Sequence, residues 1–67
     1  MMPYASNDDL PASVRAHLPA HAQDIFREAF NHAFGTYGGD DAAAFRIAWS
    51  AVKRRFAKAR DTWVPRM

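Results

Sequence analysis

The sequence contains no cysteine, and glycine accounts for only three of its 67 residues. Without cysteine the chain can form neither a disulfide framework nor a thiolate metal site, and this absence fits a reducing compartment. No apolar run approaches the ~20 residues that cross a bilayer, and the first residues lack a charged segment followed by an apolar one. We therefore expect a cytoplasmic chain that is soluble, is not exported and does not insert directly into a membrane.

The short length makes residues 1–67 a single small domain. A core of this size is marginal, so few large apolar side chains can be left uncovered. Burying one of them contributes roughly 1.5–3 kcal/mol. An apolar stripe on one helix must therefore be covered by the rest of the chain.

Residues 21–34 organise the chain because their apolar side chains recur at spacings of three and four. The stripe consists of Ala22, Ile25, Phe26, Ala29, Phe30, Ala33 and Phe34. This spacing is typical of an α-helix with one apolar face, whereas a strand would place Ile25 and Phe26 on opposite faces. Pro19 suits the first turn of such a helix and the following glycines suit its end. The pattern predicts a helix over residues 20–37.

Two other segments supply the expected cover. A short helix from Pro11 to about His17 is predicted, and Pro19 ends it; its apolar edge is formed by Leu10, Val14 and Leu18. A third helix is predicted after a cap by Asp40 or Asp41, and Pro65 limits its extent. Its stripe consists of Phe45, Ala48, Trp49, Val52, Phe56 and Ala59, which Trp63 extends if the helix continues so far.

The predicted fold class is all-α, a small three-helix domain with a short first helix and two longer antiparallel helices. The connection at residues 35–41 is short, which favours an antiparallel arrangement. The three phenylalanines of the second helix are expected to face Trp49 and its neighbours. In addition, the aromatic content of Tyr4 and of Trp63-Val64 suggests two short extended stubs lying side by side.

The three histidines are the candidates for metal ligation. His21 with Asp24, and Glu28 with His32, have the spacing to share a helical face, but Pro19 separates His17 from His21. A metal site needs three or four converging ligands, and no second cluster is visible. Capping or surface roles are the more economical interpretation, so we expect no metal site and no cofactor.

No catalytic residues are expected. The serines and threonines lack a neighbouring His/Asp pattern, and the paired carboxylates at residues 8–9 and 40–41 lie where helix caps are predicted. The glycines at residues 35–39 are not followed by the Lys-Ser/Thr of a phosphate-binding loop. These observations indicate a protein that is not an enzyme.

The charges are unevenly distributed. Residues 1–41 hold two arginines against six carboxylates, a net charge of −4, whereas residues 42–67 hold seven basic side chains against one aspartate, a net charge of +6. The candidate contact residues for nucleic acid or an acidic partner are Lys53, Arg54, Arg55, Lys58 and Arg60, the basic face of the third helix. The alternative is that these cations offset the negative end of that helix.

The arrangement of motifs resembles the ChaB family of small bacterial proteins, named as regulators of cation transport. The matching residues are Met2-Pro3-Tyr4, Asp9-Leu10-Pro11, Val14, Leu18-Pro19, His21-Ala22-Gln23-Asp24-Ile25, Glu28-Ala29-Phe30-Asn31, Ala33, Ala48-Trp49, Ala51-Val52-Lys53, Phe56, Lys58 and Trp63. The chain departs from the family pattern in two places. The connector is shortened to Gly38-Gly39-Asp40-Asp41, and Phe45 stands where a histidine is usual.

The resemblance implies a non-catalytic cytoplasmic protein that regulates a membrane cation/proton antiporter through protein–protein contact. ChaB-like domains also occur in insect viruses and beside nucleic-acid-associated segments, so the alternative is a nucleic-acid-binding accessory module that uses the basic residues. A structural partner of a larger assembly is a third interpretation. Docking of the second helix on a membrane surface is disfavoured because its polar face carries Asp24 and Glu28, which anionic lipid would repel.

Overall fold

A computed structural model describes residues 3–66, so Met1, Met67 and the Met2 of the family pattern lie outside the described residues. A 3₁₀ turn at Asn7–Asp9 precedes three helices and a hairpin. The elements are α1 (Ala12–His17), α2 (Ala20–Thr36), α3 (Asp41–Arg55), β1 (Phe56–Ala59) and β2 (Thr62–Pro65).

The three predicted helices are present, and local chemistry explains their ends. The corner between α1 and α2 has no loop, and the Gln23 amide donates a hydrogen bond of 2.8 Å to the Leu18 carbonyl. After α2, the Gly39 N–H donates to the Phe34 carbonyl at 2.8 Å. Gly38 and Gly39 have φ of 65° and 84°, a left-handed conformation that favours glycine. The Asp40 carboxylate caps α3 by accepting from the Ala43 N–H at 3.1 Å.

Helices α2 and α3 run antiparallel and enclose the core. His21 at the start of α2 lies near Phe56, just beyond α3, with ring centroids 6.1 Å apart. At the centre, Phe26 packs edge-on against Trp49 at 5.4 Å and against Phe45 at 5.5 Å. The buried residues are Leu10, Val14, Leu18, Ala22, Phe26, Phe30, Ala33, Ala44, Ala48, Val52 and Phe56. Phe26 and Phe30 are therefore covered as expected, whereas Phe34 packs against the core and is only partly buried.

The prediction of an all-α fold is wrong, because the chain leaves the helix at Phe56 and forms an antiparallel hairpin. Strand β1 pairs with β2 in a register that places Lys58 opposite Trp63 and Phe56 opposite Pro65. Phe56 is still buried, and Trp63 packs against Trp49 with centroids 5.7 Å apart. The domain is a small mixed α/β unit that remains mostly helical.

Arg66 shows how the hairpin replaces further helix. The last carbonyl groups of a helix have no partner within it. Here the Arg66 N–H donates to the Arg55 carbonyl at 2.8 Å, and its side-chain Nε donates to the Lys53 carbonyl at 2.7 Å. The residue that follows β2 thus donates to two of the last carbonyl groups of α3.

The expected pairing of Tyr4 with Trp63-Val64 does not occur, although Trp63 and Val64 are extended. Strand β2 pairs with β1 instead. Tyr4 is attached to α2: its N–H donates to Asn31 Oδ1 at 3.1 Å, and Asn31 Nδ2 donates to its carbonyl at 2.9 Å. Its ring lies 4.8 Å from that of Phe30.

The Tyr4 phenol gives the fold a dependence on alkaline pH. Burial raises the pKa of Tyr4 above its usual value of 10.0, and the Asp41 carboxylate acts in the same direction. The unfolded chain therefore ionises first, so this contribution to stability is intact below about pH 10 and is lost as the pH rises through the folded-state pKa. Urea unfolding across this pH range should show that the free energy of unfolding declines as the pH rises. Tyr4→Phe should reduce this decline. Tyr37→Phe, at an exposed ring, is the control; an equal reduction in both variants would contradict the assignment.

Candidate partner-binding groove

An open groove of about 570 Å³ lies between α2 and α3. Its lining residues are His21, Ile25, Glu28, Ala29, His32, Ala51, Arg54 and Arg55. A neighbouring depression of about 360 Å³ shares four of these residues and adds Ile47 and Ser50. The two depressions form one continuous feature, called the α2/α3 groove below.

Helical spacing explains which side chains reach the α2/α3 groove. His21, Ile25, Glu28 and His32 follow one another at steps of four, three and four, so they share one face of α2. Small alanines, one from each helix, form the floor. Ile25 is half-buried and Ile47 is 36% exposed, so both leave apolar surface open to a partner.

The rim of the groove is mainly basic. Arg54 and Arg55 lie on the α3 side, and Glu28 is the one carboxylate among the lining residues. Within residues 3–66 the only ion pair closer than 4 Å joins Asp24 to Arg27, at 3.7 Å. The two guanidinium groups of the rim therefore have no carboxylate partner in the part of the chain that the structure describes.

Comparison with known proteins identifies the family. The ChaB family model matches residues 10–66, which is most of the chain. The chain belongs to the ChaB family. The resemblance read from the sequence is thereby confirmed.

Relatives and a solved structure agree with this assignment. A protein of Escherichia coli K12, named "Putative cation transport regulator ChaB", is 48% identical over 69 residues, covering 90% of this chain and 91% of the relative. The NMR solution structure of a protein of the same name is 44% identical, with a TM-score of 0.83 over 97% of this chain and 100% of the other. A protein of Lymantria dispar multicapsid nuclear polyhedrosis virus, from the LEF8-FP intergenic region, is 33% identical over 76% of this chain and 72% of its own length.

The structure divides the five predicted contact residues of this ChaB-family chain among three elements. Lys53, Arg54 and Arg55 end α3, Lys58 lies on β1, and Arg60 is in the hairpin turn. All five are exposed. The prediction that they form the face of one helix is therefore wrong, since α3 ends before two of them. Only Arg54 and Arg55 line the groove.

The histidines occupy different environments. His17 Nδ1 donates a hydrogen bond of 2.7 Å to the Ser13 carbonyl, so the His17 ring is bonded within α1. His21 and His32 lie at opposite ends of the α2 side of the groove. In residues 3–66 no three His, Asp, Glu or Cys side chains converge in a way that could hold a metal ion.

Sequence reasoning missed the α2 side of the groove. The spacing predicts that Ile25 and Ala29 belong to the core stripe; both pack against the core but are only partly buried. The available signal was the run of polar side chains at residues 21, 28 and 32, which flanks Ile25 on one helical face. Among the described residues, no helix has both the length and the apolar composition that crossing a bilayer requires.

Proposed function

We propose that this ChaB-family chain is a non-catalytic regulator that docks on a protein partner through the α2/α3 groove. The partner we propose is a membrane cation/proton antiporter or a protein of its regulatory circuit, encountered at the cytoplasmic side. The name of the relatives, a regulator of cation transport, supports this class of partner. The observation that carries the docking role is a pair of arginines beside an apolar floor, neither of which has a carboxylate partner among the residues that the structure describes.

This composition resembles that of protein interfaces. Their centres are apolar, their rims are polar, and arginine is enriched in them relative to the rest of the protein surface. A small-molecule site, in contrast, usually encloses 70–90% of its ligand. The groove is an open channel between two helices, which supports docking of a macromolecular surface rather than enclosure of a substrate.

Affinity capture from a membrane fraction, with two charge-reversal variants, tests this function. The first variant combines Arg54→Glu with Arg55→Glu. The second combines Lys53→Glu with Lys58→Glu and makes the same change in net charge outside the groove. We expect the tagged wild-type chain and the lysine variant to recover a cation/proton antiporter, and the arginine variant to lose it. Recovery of soluble enzymes alone would contradict the transporter assignment.

A nucleic-acid-binding module is the alternative that the five exposed basic residues support. Such binding would rest on phosphate contacts and would fall steeply with salt. Because each cation contributes similarly to a non-specific contact, the arginine and lysine variants should weaken it to a similar extent. Electrophoretic shifts of duplex DNA and of RNA at low salt test this; an absence of retardation would remove the alternative.

A further inference from the structure

We propose that the natural occupant of the α2/α3 groove is an amphipathic α-helix of about three turns, with acidic residues on the flank that faces Arg54 and Arg55. This inference rests on the proposed function in taking the groove as a docking site. It goes further because it specifies the secondary structure, length and charge of the docked segment.

The length follows from α2. His21 and His32 mark the two ends of the groove and are eleven residues apart on one helix. At 1.5 Å per residue, the groove is about 17 Å long. A helix lying along it would therefore make contact over about three turns. Two antiparallel helices with small residues between them provide the surface onto which a third helix packs.

The walls of the groove favour a helix over an extended peptide. All of the lining residues belong to α2 and α3, whose backbone groups are already bonded within the helices. An extended segment would find no strand edge there with which its N–H and C=O groups could form hydrogen bonds. A helix satisfies these groups itself and can insert apolar side chains at i, i+4 and i+7.

The charges set the orientation of the polar flanks. Arg54 and Arg55 are on the same side and have no carboxylate partner within residues 3–66. Glu28 faces them from α2 and favours a basic or neutral residue on the other flank of the occupant. Glu28 and the apolar side chains of Ile25 and Ile47 have no use in binding phosphates. This pattern therefore favours an amphipathic acidic helix over nucleic acid or an anionic lipid surface.

NMR titration of the isotope-labelled full chain with designed peptides tests the inference. The probe is a helical peptide of about 14 residues with leucines at i, i+4 and i+7 and glutamates along one flank. One control has the same composition in scrambled order, and another replaces the glutamates with lysines. We expect the acidic helix to shift the amides of Ala29, Ala51 and Arg54, and to leave those of Arg60 and Asp61 in place. Neither control should bind comparably.

The charge-reversal variants provide the quantitative readout. Arg54→Glu combined with Arg55→Glu should weaken binding of the acidic peptide at least about tenfold, because it places two like charges opposite the glutamates of the peptide. Lys53→Glu with Lys58→Glu should change it less than about threefold, because exposed charges outside the interface act weakly. Ala51→Leu, which fills the floor without adding charge, should also weaken binding. Circular dichroism checks that each variant keeps its helices.

Several results would overturn the inference. One is equal weakening of binding by both charge-reversal variants, and another is equal binding of the scrambled peptide. A third is a set of chemical-shift changes confined to the hairpin. The last is displacement of the peptide from the groove by duplex DNA or by phosphatidylglycerol vesicles. The outcome is independent of the transporter assignment. If the acidic helix binds and membrane capture fails, the antiporter is the wrong partner but the groove inference stands. If capture succeeds without binding of the acidic helix, only the inference fails.

Discussion

Replacing Phe26 with alanine should lower the free energy of unfolding by about 3–5 kcal/mol, the usual cost of removing a buried aromatic ring. Phe26 is 0% exposed and is the largest fully buried side chain. Its ring contacts those of Phe30, Phe45 and Trp49, with centroids 6.2, 5.5 and 5.4 Å away. These contacts join successive turns of α2 to α3, so the cavity would open between the two long helices.

The total stability makes this loss decisive. A domain of this length is expected to have a free energy of unfolding of roughly 3–10 kcal/mol. Phe26→Ala should therefore leave a chain that is partly or wholly unfolded, which circular dichroism and urea unfolding would show. Phe45→Ala is the matched control, because that ring touches Phe26 but is 39% exposed. An equal, small effect in both variants would contradict the placement of Phe26 at the centre.

Trp49→Ala should cost about 3 kcal/mol, near the lower end of the range for aromatic truncation because the indole is only partly buried. Its effect should also reach the hairpin. Trp49 contacts Phe26 on α2 and Trp63 on β2, with centroids 5.4 and 5.7 Å away. The side chain therefore connects the helical core to the strand that follows it.

Hydrogen exchange distinguishes this connection from a general loss of stability. In Trp49→Ala, the amides of β1 and β2 should exchange faster than the global change in unfolding free energy predicts. Trp63→Ala should also speed exchange of these hairpin amides, but it should leave the amides of α2 better protected than they are in Trp49→Ala. Unchanged melting and helical content in Trp49→Ala would show that the described packing of α2 on α3 is wrong.

The helices could be predicted because each carries its own signals. The spacing of the phenylalanines indicates the extent of α2, Pro19 indicates its start, and the cap at Asp40 indicates the start of α3. These signals agree with one another and with the boundaries in the structure. The hairpin could not be predicted from such signals. Phe56 and Ala59 continue the helical spacing of α3, and alanine and lysine are good helix formers. The turn of the hairpin contains no glycine or asparagine, the residues that usually adopt a positive φ in such turns. Arg60 adopts a φ of 60° there instead.

The groove was hidden for a different reason. The apolar stripe of α2 includes Ile25 and Ala29 at one edge and Phe26 and Phe30 near its centre. Helix α3 covers the centre, so the edge is left partly exposed. Spacing alone shows that these residues share a face and does not show how far the partner helix extends across it. The site thus depends on helix packing, which the sequence pattern does not specify.

The basic residues illustrate the same limit. Their exposure was predictable from charge, but the break after Arg55 separates Lys58 and Arg60 from the helix. As a result, Arg54 and Arg55 line the α2/α3 groove, whereas the other three basic residues lie outside the groove. This division is what allows the docking and nucleic-acid hypotheses to be separated by variants of equal charge.

The central claim, that this chain regulates cation transport through the α2/α3 groove, is tested most directly by cation/proton exchange in inverted membrane vesicles. Vesicles from a strain that lacks the chain would be supplied with purified wild-type protein, the arginine variant or the lysine variant. We predict that the wild-type protein and Lys53→Glu with Lys58→Glu change the exchange rate, and that Arg54→Glu with Arg55→Glu does not. An unchanged rate with all three proteins, or the same change with both variants, would contradict the account.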